Sequence, residues 1–183
     1  MSHVDAAGVG RLEELLDRLV LDVPDFPEPG VVFKDITPLL ADHDGLSAVV
    51  EALAASGRDQ GVDKVLGMEA RGFILAAPVA LALGAGFIPV RKAGKLPRET
   101  HAVAYALEYG EATLEIHHDA VKPGERVLLV DDVLATGGTA AATIELVRRS
   151  GGVVVGLAVL MELSFLPGRA AVGDVPVTAL MTV

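Results

Sequence analysis

Apolar Leu12, Leu15, Leu16, Leu19 and Val20 recur at i, i+3, i+4, i+7 and i+8, with Glu and Arg between them. That spacing predicts an amphipathic helix over 11–20 with one stripe turned to a core. The pattern then stops. VPDFPEPG (23–30) holds three prolines and a glycine; each proline fixes its own φ and turns its predecessor away from helix, so an extended, ordered arm is expected, running into Val31, Val32 and Phe33. From Asp44, GLSAVVEALAASG sets Leu46, Val49, Val50 and Leu53 on one helical face and stops at Gly57. VDKVLGM (62–68) reads as a strand. The 18 residues from Phe73 to Val90 carry no charge, but Pro78, Gly84, Gly86 and Pro89 interrupt them. A buried helix over 73–83, a turn and a strand over 86–90 therefore fit better than a membrane span.

Residues 91–118 open polar and then alternate loosely, as a loop leading into two antiparallel strands does. After the turn KPGE come the strand VLLV (127–130), a helix from Gly138 to Arg149 closed by Gly151 and Gly152, and the strand VVVGLAVL (153–160). Near-continuous Val/Leu/Ile strands alternating with helices predict an α/β fold, a mostly parallel twisted sheet with helices on both faces. An antiparallel excursion is expected around 100–118. No repeat of 20–50 residues and no linker interrupts the chain, so residues 1–183 are expected to form a single domain.

Composition narrows the chemistry. A chain of 183 residues is long enough to bury a core without staples. It contains no cysteine, which excludes disulfides, thiolate nucleophiles and cysteine-ligated metals. With 25 Asp and Glu against 15 Lys and Arg the formal charge is −10, a balance that repels a nucleic-acid backbone, so no nucleic-acid or membrane partner is expected. The first residues, MSHVDAAGVGRLEELL, lack the basic and apolar regions of a signal peptide, and a cytoplasmic location is expected.

The stretch VLLVDDVLATGGTA (127–140) carries the sharpest chemistry. Ligands of open α/β sheets bind outside the carboxyl ends of strands, where Asp131 and Asp132 fall. Gly137 and Gly138 permit a tight turn, and Thr136 and Thr139 add hydroxyls beside the free N–H groups of the next helix, a cradle suited to phosphate. Two carboxylates beside a phosphate need a different partner, and a sugar diol supplies one by donating hydrogen bonds to them. The spacing thus fits a ribose 5-phosphate, diol on Asp131 and Asp132 and phosphate on Ala135, Thr136, Gly137, Gly138 and Thr139. A plain strand-to-helix joint with solvated acids, or a metal-binding or phosphorylatable aspartate pair, fits the same residues. No GxxxxGK[ST] or GxGxxG motif is present. Glu69-Ala70-Arg71-Gly72 likewise follows a strand and opens a helix, so its N–H groups and Arg71 face the same sheet edge.

The same 14 residues resemble the phosphoribosyl pyrophosphate (PRPP) motif of type I phosphoribosyltransferases. DFPEPGVVFKDITPLL (25–40), GMEARGF (67–73), RKAGKLP (91–97) and LEYGEATLEIH (107–117) are similar, in the same order, to the adenine phosphoribosyltransferase family, and the resemblance spans 11–169. It implies a purine salvage enzyme joining adenine to PRPP, with AMP and pyrophosphate as products and Mg2+ carried by PRPP rather than held by the protein. It implies that Glu69, Ala70 and Arg71, with Arg91 and Lys95, receive the pyrophosphate, in a segment that in this family can hold a strained peptide bond. It places adenine against Phe33, with Val32 and Lys34 reading the purine edge through main-chain groups and Leu163 as a wall; residues 1–34 are the helix and base-binding arm. It assigns Glu108, in a hairpin that closes over the reacting centre, to the proton at adenine N7, and it implies a homodimer. Many relatives have Arg where Lys34 stands, which leaves that side chain without an assigned role. A PRPP-binding regulator and a phosphoribosyltransferase for another base are the alternatives. The adjacent His117 and His118 point to opposite faces of a strand and are given no metal.

Overall fold

The computed structural model describes residues 6–106 and 111–183, with side chains from residue 10 onward except Ala106. Glu108 lies outside the described residues. The chain forms two compact units, Met1–Val49 and Val50–Val183.

In the first unit, α1 (Ala6–Leu19) buries Leu15 and Leu16 as the heptad-like spacing predicts. The proline-rich arm is a hairpin. Its strands β1 (Leu21–Pro24) and β2 (Val32–Asp35) are antiparallel, joined through a cis Phe26-Pro27 bond and Gly30 at φ +88°. A short helix, α2 (Thr37–Ala41), follows and was not foreseen; Pro38 stands in its first turn, where a missing N–H leaves no hydrogen bond unmade. Helix α3 (His43–Ala55) then crosses into the second unit.

The second unit holds β3 (Lys64–Met68), α4 (Arg71–Leu83), β4 (Gly86–Lys92), β5 (Thr100–Ala106), β6 (Glu111–His117), β7 (Arg126–Leu134), α5 (Gly138–Arg149), β8 (Val153–Glu162), α6 (Gly168–Val172) and β9 (Val177–Thr182). The strands make one sheet in the order β5-β6-β4-β3-β7-β8-β9. Pairs β3/β4, β3/β7, β7/β8 and β8/β9 are parallel, and β4/β6 and β5/β6 antiparallel. Alternation along β7 sorts its side chains to two faces. Leu129 packs with Ile144 and Val147 of α5. Leu128 points the other way, within reach of the same spot beside Gly57 that Leu83 of α4 touches. Helices therefore cover both faces.

Pro78 does not end its helix; it sits inside α4, which runs on to Leu83. The stop is Gly84 at φ +66°, where Ala85 N–H reaches back to Ala80 O at 2.9 Å. Pro89 is tolerated in β4 for a related reason. Strand β4 pairs with β6 only at Arg91 and Lys92, so at Pro89 only the β3 edge is bonded. Among the described residues no helix is long and apolar enough to cross a membrane.

Candidate active site

Strand order decides where a ligand fits. From β3 the chain passes through α4 to β4 on one side of the sheet order, and from β7 through α5 to β8 on the other. The carboxyl ends of β3 and β7 are adjacent and their helices leave to opposite faces, which opens a crevice between them. A cleft of about 230 Å³ lies there, lined by Met68 to Arg71 from the β3 end and by Asp131 to Ala140 from the β7 end.

The two acids occupy different settings. Asp132 is 8% exposed, and its carboxylate takes Arg71 Nε at 2.8 Å. Asp131 accepts the Asp132 N–H at 2.9 Å. Burial, then the charge of Asp132, push the Asp131 carboxyl well above the ordinary aspartate range; the Asp132 N–H and the Arg71 charge pull weakly the other way. Asp131 has this room only because residue 72 is glycine. A Cβ there would stand 2.6 Å from Asp131 Oδ1 and 3.2 Å from Val130 O.

The turn is shaped from behind. Gly137 is at φ +83° and caps α5 with no side-chain hydrogen bond, so the N–H groups of the first turn face the cleft. A Cβ on Gly137 would meet Ala171 Cβ at 2.6 Å and Gly168 O at 2.7 Å, and one on Gly168 would meet Ala135 O at 2.5 Å. Helix α6 therefore buttresses the turn. Arg169 locks that buttress by a two-pronged ion pair with the buried Glu162, both contacts at 2.7 Å. None of this backing was read from the sequence; the small residues of PGRAA (167–171) were its only trace.

On the opposite wall the Glu69-Ala70 peptide is cis. Glu69 directs its carboxylate to Arg91 Nε (3.2 Å) and to the Lys92 N–H (2.9 Å), and the latter, first, holds it below the ordinary carboxylate range. Arg91 is thereby fixed beside the cleft loop, whereas Lys95 stands in the exposed turn after β4. Leu163 is half-buried and donates its N–H to Leu134 O at 3.0 Å, beside the end of β7. Tyr105 of β5, also not singled out in the sequence, lies with its hydroxyl 3.3 Å from Thr139 Oγ1. The structure thus brings together Glu69, Ala70, Arg71, Arg91, Asp131, Asp132, residues 135–139 and Leu163.

Val32, Phe33 and Lys34 belong to the N-terminal unit. Val32 is 55% exposed, the Phe33 ring meets Phe26 edge-on at 5.2 Å, and Lys34 pairs with Asp22 directly across the hairpin. That ion pair gives the Lys34 side chain a place in the hairpin.

A family model described as the phosphoribosyl transferase domain matches residues 39–170. A Nocardioides protein named adenine phosphoribosyltransferase is 73% identical over 169 residues, covering 90% of this chain and 91% of its own. One of the same name from Thermobifida fusca is 62% identical, covering 92% and 96%. Among solved structures, adenine phosphoribosyltransferase from Thermoanaerobacter pseudethanolicus superposes with a TM-score of 0.89 at 46% identity, covering 94% of this chain and 99% of that one. The Saccharomyces cerevisiae enzyme, complexed with an imino-altritol bisphosphate and adenine, gives 0.88 at 36% identity, with 96% and 99% covered.

Proposed function

The chain belongs to the phosphoribosyl transferase family, and from that premise we infer that it joins adenine to the 5-phosphoribosyl group of PRPP, releasing AMP and pyrophosphate in purine salvage. The observation that carries the residue assignment is the crevice between β3 and β7, which sets two acids, a glycine turn and an arginine loop around one cleft.

In this reading the ribose diol donates to Asp131 and Asp132, and the 5-phosphate lies on the N–H groups and hydroxyls of Ala135, Thr136, Gly137, Gly138 and Thr139. Glu69-Ala70-Arg71, with Arg91 and Lys95, receives the pyrophosphate; Glu69 acts there by aiming Arg91. Because Arg71 already pairs with Asp132, the guanidinium spans the boundary between diol and pyrophosphate. Adenine is taken by Phe33, the main chain of Val32 and Lys34, and Leu163, so residues 1–34 serve as the base-binding arm of a single catalytic domain. Glu108 handles the proton at N7 as N9 bonds to C1 of the ribose. Departure of pyrophosphate leaves positive charge on the sugar, which the Glu108 carboxylate offsets.

Mg2+ carried by PRPP would supply positive charge to offset the pyrophosphate leaving group. Such an ion would travel with PRPP, and no protein residue is assigned to hold it.

A cytoplasmic homodimer completes the proposal. On α4, Ile74 (46% exposed) and Leu81 (83% exposed) are one face, at i and i+7 with Pro78 between them. No charge falls between Phe73 and Val90, so two copies can meet there without opposing like charges, although each carries −10. Leu81→Glu is expected to shift the sedimentation coefficient toward the monomer; an unchanged dimer would place the interface elsewhere.

The function is tested by offering the purified protein PRPP, Mg2+ and, separately, adenine, hypoxanthine, guanine and orotate. AMP from adenine alone is expected. Turnover with a different base would keep the PRPP site and discard the adenine assignment. No turnover with any base would favour a PRPP-binding regulator.

A further inference from the structure

Tyr105 is absent from the lining of the cleft, yet its hydroxyl lies 3.3 Å from Oγ1 of Thr139, the last residue of the glycine turn and part of the first turn of α5. Its place is held from two sides. The ring packs against the core cluster that contains Ala140 and Ile144 of α5. At the other end of the same pairing, Arg149 Nη1 donates to Ala102 O at 3.3 Å, tying β5 to the last turn of α5.

Each hydroxyl has one proton to give. A Thr139 hydroxyl that donates to Tyr105 has none left for an anion in the cleft. When Tyr105 donates instead, Thr139 accepts and its own proton is free to point at the cradle. A phenol is the stronger donor of the two, and a dianionic phosphate in front of the turn favours that orientation further. We propose that Tyr105 is a positioning residue of the 5-phosphate subsite, orienting the Thr139 hydroxyl from behind so that it donates to the phosphate. The proposal rests on the phosphate reading of residues 135–139.

Tyr105→Phe removes one oxygen and keeps the ring in its packing. One hydrogen bond to a charged group corresponds to roughly 10- to 100-fold in affinity, and a lost orienting bond between two neutral hydroxyls to less, about fivefold. The dissociation constant for ribose 5-phosphate, measured calorimetrically, and the KM for PRPP are expected to rise by that factor, with the KM for adenine and the melting temperature unchanged. In a Thr139→Val background, which keeps shape and removes the hydroxyl, the Tyr105→Phe change is expected to have no further effect. Equal ribose 5-phosphate affinity in wild type and Tyr105→Phe would overturn the assignment, as would the same fivefold loss in the Thr139→Val background. Wild-type protein that makes AMP but ignores ribose 5-phosphate would remove the phosphate reading itself, and the role of Tyr105 with it.

Discussion

Asp131→Asn is expected to weaken PRPP binding by roughly 10- to 100-fold while raising the melting temperature of the ligand-free protein at neutral pH. The first effect follows from replacing a carboxylate that accepts from the ribose diol by a neutral amide, since a hydrogen bond to a charged group contributes about 1.5–3 kcal/mol. The second follows from the setting of the carboxyl. Burial and the neighbouring Asp132 raise its folded pKa above the ordinary aspartate value, so the ionised form is disfavoured in the native state. A group raised in this way contributes stability that is present below the unfolded value and lost as pH rises through the folded one. The Asn variant and wild type should therefore melt alike in acid and diverge above the ordinary aspartate range, the variant being higher. The bond from the Asp132 N–H survives, because an amide oxygen still accepts it. Calorimetric titration with PRPP and thermal melts across pH check both halves. Unchanged PRPP affinity would remove the diol assignment; a lower melting temperature at neutral pH would mean that Arg71 outweighs burial. In wild type, PRPP affinity should also fall on acidification through the raised value, since the diol requires the ionised acid.

Gly137→Ala should lower stability by about 2–5 kcal/mol and raise the KM for PRPP. Its φ of +83° is a left-handed conformation that costs a side-chain-bearing residue about 1–2 kcal/mol. The added Cβ would also enter space held by Ala171 Cβ at 2.6 Å and Gly168 O at 2.7 Å, an overpacking that costs about 1–3 kcal/mol. If the turn shifts to relieve the clash, the N–H groups of the cradle shift with it. Gly94→Ala is the matched control, because Gly94 has φ +77° and nothing within 4 Å of its Cβ position. Melting temperatures of the two variants, with PRPP kinetics, separate backbone conformation from crowding. Equal destabilisation would show that the α6 buttress yields.

Helices α1, α3, α4 and α5 were legible because a helix is bonded within itself and its buried stripe repeats locally. The pair β5 and β6 was legible from alternation. Strand β7 was read only as VLLV (127–130), yet it continues through both aspartates to Leu134 because β8 carries the ladder alongside it, Asp131 opposite Val159 and Leu134 opposite Glu162. Helix α6 and strand β9 escaped notice. The first is a five-residue turn of small side chains, and the second is an edge strand whose half-exposed positions give a weak alternation.

The chemistry of the cleft was determined by local sequence. DDVLATGGT supplies acids, glycines and hydroxyls within nine residues, and a turn that short places them together in any strand-to-helix joint. Only the tertiary structure decided which residues complete that turn. The order β5-β6-β4-β3-β7-β8-β9 brings residue 71 to residue 132, while α6 packs behind Gly137 and β5 sets Tyr105 against Thr139 of α5. These meetings depend on sheet order and on backbone approach at Gly72, Gly137 and Gly168, and packing distances between segments far apart in the chain leave no period in the sequence.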